Sequence, residues 1–442
     1  MMTVDDLPNE ILCDIFSLAI QRSRAAPQIF KSGDDFRDCA ALIEISRVCR
    51  RWREAALADS LIWSSFCIIL DKPTAESLRQ ATRYASICFG RSRDTPLTFF
   101  VSISELDDLR ISHPLMLELV AHEERWSRIA ISITRAPDAL RSLKAAEEID
   151  RQFAVCVKNA GRRLLREFHF NLASWFTYSM NDPLPSLETL KIADYKLNER
   201  LHTLPMWLPL AQNLVELDIT NDKAVFSFFC LSQMKRRKGV PAENHVFLLP
   251  KLKTLRAPPD FFSRLTCPAL ERYTMGYLPL SQTPLNCFQG FIERSVPPLH
   301  TLDVKNAYIT LADFETARGY FIPEITTLTA TPSIFIFFET LTEKSPEGDF
   351  PLLLPSLETL QLFKCNGELI PFISSLTTSR WGVASPGRSL KSVKLTQWSG
   401  SIPKFLSIKP SSRIQLKKVN LKWREIAQCV KEGLQLSIER DA

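Results

Sequence analysis

The sequence predicts an α+β chain of solenoid type. A small helical module leads, and an irregular horseshoe of short parallel strands, each returning by a helix or loop, follows. Three observations predict this. Apolar residues recur at helical spacing within residues 7–18 and 42–55. From about residue 95 onward, short apolar runs take the strand period. Beyond residue 187 the pattern L-x-x-L-x-L returns again and again. At 442 residues the chain is too long for one compact core, so an elongated array or several domains must share it.

In the first stretch Pro8 suits an opening helical turn, where its missing N–H would go unbonded anyway. Glu10 sits at the positive end of the helix dipole. Leu7, Ile11, Ile15 and Leu18 then define one apolar face. In the second stretch Leu42, Ile45, Val48 or Cys49, Trp52 and Ala55 do the same, with Arg47, Arg50, Arg51 and Arg53 mainly opposite. Two helices this short cannot bury both their faces. They either cap the domain behind them or meet another chain.

The ordered set Leu-Pro-x-Glu-Ile-Leu-x-x-Ile (7–15), Val-Cys-Arg-Arg-Trp (48–52) and Leu-x-Trp (61–63) resembles an F-box. The resemblance covers residues 5–66. It implies a Skp-type adaptor as partner and, through it, a cullin ubiquitin ligase. It also implies that Leu7, Pro8, Glu10, Ile11 and Ile15 face the adaptor, with Val48, Cys49, Trp52 and Trp63 completing the module. Residues 21–41 separate the helices by more than the family's compact form, an insertion that costs a surface loop little.

Residues 67–160 read as connecting βα units. They include a strand at Leu97–Ile103, helical spacing through Leu115, Leu119 and Trp126, strand period at Ile129, Ile131 and Ile133, and a charged helix over 139–160. Residues 161–442 form the repeat. The signature starts at Leu187, Leu214, Leu252, Leu299, Leu357, Leu390 and Leu416, with weaker copies at Leu270 and Ile325. Steps of 27, 33 and 26 residues (Leu187 to Leu214, Leu357 to Leu390, Leu390 to Leu416) resemble degenerate leucine-rich repeats. Their customary Asn or Cys is matched at Cys365. The helical module with these irregular repeats is similar to the large F-box family expanded in mushroom-forming fungi. An ordinary α/β domain with leucine-rich strands is the bland alternative.

Between the core leucines, Thr189, Lys191, Glu216, Asp218, Thr301, Asp303, Thr359 and Gln361 are expected on the open face of the strands. Near the C-terminus this face turns basic, and Lys394, Lys418 and Lys422 are candidates for gripping an acidic or phosphorylated target. The basic run 235–238 is either a solvated loop or an import signal.

A formal charge of +6 is too mild for a dedicated nucleic-acid binder. No signal peptide or membrane-length apolar run is visible, so a cytoplasmic or nuclear location is expected. The eleven cysteines lack metal or redox spacing, and Cys13, Cys49, Cys156 and Cys230 are expected as free core thiols. No phosphate-binding loop, zinc motif or nucleophile elbow occurs, and His169 is expected to point outward from its strand. The reading is therefore a non-enzymatic substrate receptor with no cofactor and no metal. Its rivals are a repeat protein working outside a ligase and an enzyme whose site assembles only through folding.

Overall fold

A computed structural model of the chain describes residues 7–20, 39–106, 109–135, 155–157, 163–172, 176–178, 183–193, 208–220, 246–257, 265–275, 285–304, 324–331, 341–342, 354–381, 390–399 and 423–439. They fall into two compact units, one ending at Glu216 and the other starting at Leu217.

The first unit opens with helices α1 (Asn9–Ile20), α2 (Cys39–Val48), α3 (Arg50–Ala58) and α4 (Ser60–Trp63). Strand β1 (Ser65–Asp71), helix α5 (Ala75–Arg91), strand β2 (Leu97–Leu106), helix α6 (His113–Ala121) and strand β3 (Trp126–Arg135) follow. After them come β4 (Val155–Val157), β5 (Glu167–Leu172), β6 (Phe176–Tyr178) and β7 (Thr189–Ala193). Strands β1, β2, β3, β5 and β7 lie side by side in that order, all parallel, while β4 pairs with β6.

Several sequence expectations change here. The second amphipathic stretch is two helices that break at Cys49, whose sulfur caps α3 by accepting the Trp52 N–H at 3.4 Å. Trp126 opens a strand and does not extend the preceding helix. Of the charged helix expected over 139–160, only Val155–Val157 is described, and it is a strand. His169 is buried, as Phe100 and Ala130 in the same cross-strand row are. Both faces of this part of the sheet are covered.

The second unit carries β8 (Glu216–Thr220, whose first residue belongs to the first unit), β9 (Phe247–Leu248), β10 (Thr254–Ala257), β11 (Leu265–Thr266) and β12 (Arg272–Met275). Then come helix α7 (Leu285–Ser295), β13 (Thr301–Asp303), β14 (Thr327–Ala330), β15 (Thr359–Phe363), helix α8 (Ile370–Trp381), β16 (Ser392–Thr396), helix α9 (Arg424–Lys431) and β17 (Gln435–Ile438). Strands β10, β12, β13, β14, β15, β16 and β17 are parallel neighbours in that order, and β9 pairs with β11.

The strands begin alike for a reason written in the sequence. Leu-Pro-Ser-Leu at 184–187 and 354–357, Leu-Pro-Lys-Leu at 249–252 and Cys-Pro-Ala-Leu at 267–270 each close a turn. In each, the fourth residue's N–H donates to the first residue's carbonyl. Proline's fixed φ suits the second position of such a turn, and the residues at both ends of it are buried. At the start of several strands two successive N–H groups donate to one carbonyl that lies just before the preceding strand. Glu271 and Arg272 meet Lys253, Thr326 and Thr327 meet His300, and Lys391 and Ser392 meet Glu358. This fixes the register, so Leu255, Tyr273, Leu302, Leu328, Leu360 and Val393 all fall on the buried side.

A buried arginine ties down the same unit. Arg380 on α8 donates to the Leu341 carbonyl from Nε (3.3 Å) and Nη2 (2.9 Å), and to the Leu354 carbonyl from Nη1 (2.8 Å). Burial lowers its pKa to about 10, which leaves it charged at neutral pH. Arg380→Met keeps most of the volume but strips both carbonyls of these donors. It should cost about 2–4 kcal/mol in urea denaturation. Val296, just past α7, shows the opposite sign. It is 80% exposed yet holds φ at +41°, a region that disfavours β-branched side chains. Val296→Gly should raise stability by about 0.5–1 kcal/mol in the same assay, against the usual trend for added glycine.

Candidate functional site

Helix α1 is apolar on two sides. Leu12 and Phe16, one turn apart, are buried, and the Phe16 ring lies 5.2 Å from Trp52. Leu42, Ala55 and Ala56 are also fully buried in this helical group. Arg51 donates to the Leu7 carbonyl, and Arg53 Nε reaches the Ser46 carbonyl at 3.1 Å. These contacts tie the start of α1 and the end of α2 to α3.

Among the described residues, the other side of α1 has no such cover. Ile11 is 43% exposed, Ile15 42% and Leu18 63%, a stripe at i, i+4 and i+7 along the helix. Val48 and Leu61, each 62% exposed, add two more aliphatic side chains on the same small domain. A soluble chain gains nothing by showing branched aliphatics in helical register to water, since each would contribute about 1.5–3 kcal/mol if fully buried. The sequence identified this stripe correctly as apolar but missed the helix's inward face, Leu12 and Phe16.

The remaining expected residues divide. Leu7 and Trp52 are half-buried, while Pro8, Glu10 and Cys49 are exposed. Cys13 is half-buried too, so neither Cys13 nor Cys49 is the core thiol expected of it, whereas Cys88, Cys267, Cys365 and Cys429 are buried. Cys230 lies outside the described residues, and Cys156 is described only as part of strand β4.

Trp63 is fully buried and touches no open surface. Its Nε1 donates to the Ala56 carbonyl at 2.6 Å, and the Arg91 guanidinium of α5 sits 4.2 Å above its ring. Burial pulls the Arg91 pKa below the ordinary arginine value. Beside it, Thr95 Oγ1 donates to Ser60 Oγ at 2.8 Å, and the Thr98 N–H of β2 donates to the Ser64 carbonyl at 2.9 Å. The helical domain thus runs into the sheet without a joint.

Residues 4–69 match the F-box-like family model. No curated protein matches the chain. The exposed stripe on α1 therefore belongs to an F-box-like domain whose matched span ends within strand β1, which agrees with the continuity around Trp63.

The strand faces form a second candidate surface. In the first unit the charges pair across strands, Arg128 with Glu167 at 3.4 Å and Lys191 with Glu216 at 3.6 Å. Burial raises the Glu167 carboxyl above its ordinary value, against the pull of Arg128 and Lys191. In the second unit Arg256 lies 3.7 Å from Asp218. Lys394 lies 2.8 Å from Glu439, and Lys418, Lys422 and residues 235–238 lie outside the described residues. Among the described residues no group of three His, Cys, Asp or Glu side chains is placed to hold a metal, and no helix is long and apolar enough to cross a membrane.

Proposed function

We propose that the chain is a non-catalytic substrate-recognition subunit of a Skp–cullin–F-box ubiquitin ligase. The F-box-like domain would take the Skp-type adaptor, and the strand-rich remainder would hold a target protein. The observation that carries this is the uncovered Ile11–Ile15–Leu18 stripe on a domain matching the F-box-like family. Such a face is stable in water only at a cost, which a partner's apolar surface would remove.

The recurring Leu-Pro-x-Leu turns and the parallel strands behind them support a degenerate leucine-rich-repeat array as the target-holding part. In this reading ubiquitin transfer is catalysed elsewhere in the complex, and the chain contributes proximity by raising the target's effective concentration. A purified Skp-type adaptor titrated against the full chain tests it. Saturable one-to-one binding that depends on Ile11 and Ile15 is expected, and no binding by the intact chain contradicts it.

A further inference from the structure

Residues 1–135, the part of the chain that ends with β3, hold two lysines, Lys31 and Lys72, against fifteen arginines. Residues 136–442 hold twenty lysines and eighteen arginines. A coding bias of the whole chain would show in both parts, and it shows in one.

Some of the early arginines do what an ammonium copies poorly. Arg51 donates to the Leu7 carbonyl, Arg53 to the Ser46 carbonyl, and Arg91 covers the Trp63 ring. Arg125 reaches the Phe89 carbonyl at 3.2 Å and the Thr95 carbonyl at 3.0 Å. Others have no such task. Arg47, Arg50 and Arg79 are exposed on their helices and pair with Glu44, Glu54 and Glu76 three or four residues away. Arg83 is exposed one turn beyond Arg79. Lysine matches arginine in helix propensity and makes the same kind of surface pair. Neither helix formation nor ion pairing selects arginine at these positions.

The two side chains do differ in one reaction, acceptance of ubiquitin. A neutral lysine amine attacks the thioester carbonyl of ubiquitin on its carrier enzyme. An isopeptide C–N bond forms, the C–S bond breaks, the sulfur leaves with the bonding pair, and the proton shed by the nitrogen passes through water to that sulfur. An arginine guanidinium stays charged and has no free pair to attack with. In a ligase, amines on the adaptor-bound domain would be held near the carrier at high effective concentration.

We propose that residues 1–135 are built as a poor ubiquitin acceptor, so that self-modification of the chain falls beyond residue 135 and leaves the adaptor-binding surface clear. Lys251, Lys253, Lys364, Lys391 and Lys431 are exposed in that later part. Lys72, the one described lysine of the early part, lies 3.0 Å from Glu105. The proposal rests on the substrate-receptor reading and adds how the receptor is itself modified.

The test incubates the full chain with a Skp-type adaptor, a cullin ligase core, the ubiquitin-activating and ubiquitin-conjugating enzymes, ubiquitin and ATP. Adaptor binding is measured alongside, and peptide mass spectrometry maps the modified lysines. In the unaltered chain ubiquitin should fall beyond residue 135, with Lys31 and Lys72 minor acceptors. Arg50→Lys with Arg79→Lys and Arg83→Lys keeps charge and helix propensity, and should leave adaptor affinity unchanged. It should add ubiquitin at those three positions and raise the initial rate of self-modification by about twofold or more. With adaptor binding intact, no ubiquitin at any of the three positions overturns the proposal alone, as does dominant modification of Lys31 or Lys72 in the unaltered chain. Failure of the unaltered chain to bind the adaptor overturns the receptor reading and the proposal with it.

Discussion

Ile11→Asp with Ile15→Asp should abolish adaptor capture while the chain stays folded. Both side chains are more than two-fifths exposed, so the free protein loses little on substitution, within about 0.5 kcal/mol per site. In a complex the same positions would be desolvated, and each carboxylate would face apolar surface with no counter-charge. Two such penalties together should exceed about 3 kcal/mol, more than a hundredfold in affinity. Isothermal titration against a Skp-type adaptor reads the affinity, and a circular dichroism melt reads the fold. Leu12→Asp is the useful contrast. It plants a charge in the buried side of the same helix, so it should unfold the domain and lose the adaptor for a different reason.

Trp63→Ala should cripple adaptor binding although Trp63 has no exposed surface to offer a partner. Removing a fully buried indole costs about 3–5 kcal/mol. It also frees Arg91 from the ring it covers. The loss falls at the junction of α4, α5 and β1, where Ser64 and Thr98 already share a backbone hydrogen bond. For the same reason a fragment of residues 1–66 should fail to fold by itself, since Ile62 and Trp63 would lose the α5 and β2 residues beside them. Trp63→Phe refills most of the space and should retain most adaptor binding, which a direct Trp–adaptor contact would not predict. Urea denaturation of each variant, with adaptor affinity measured alongside, checks the pair. Full-strength binding by residues 1–66 would contradict this view of the junction.

The strands of the second unit were legible because the pattern that specifies them is local. Leu-Pro-Ser-Leu-Glu-Thr-Leu contains its own turn, its own buried leucines and its own alternation, so each copy announces one strand. Strand β17 carries Leu434, Leu436 and Ile438 in alternation but no turn proline before it, so the local signature that marks the other strands is absent there and stands instead at Leu416. That copy lies outside the described residues. Strand β1 and helix α5 were overlooked behind the motif at Trp63. Their signals were a five-residue apolar run from Phe66 to Leu70, and Leu78, Ala81, Ala85 and Cys88 at helical spacing behind the Thr74 cap.

The candidate site was half legible. Helical spacing found the stripe at Ile11 and Ile15, but a helix apolar on two sides gives no local sign of which side meets its own chain. Phe16 packs against Trp52, which lies 36 residues away in sequence. The pairing of Lys394 with Glu439 was not legible for a similar reason, because Glu439 belongs to a later segment brought alongside by β17. Cys49 could not be seen as a helix cap until the break between α2 and α3 was known.

Hydrogen–deuterium exchange on the full chain, with and without a purified Skp-type adaptor, tests the central claim most directly. Peptides covering Asn9–Ile20 should gain protection when the adaptor is added, while those covering β13–β17 should exchange unchanged. Unaltered exchange across α1 in the presence of saturating adaptor would contradict it.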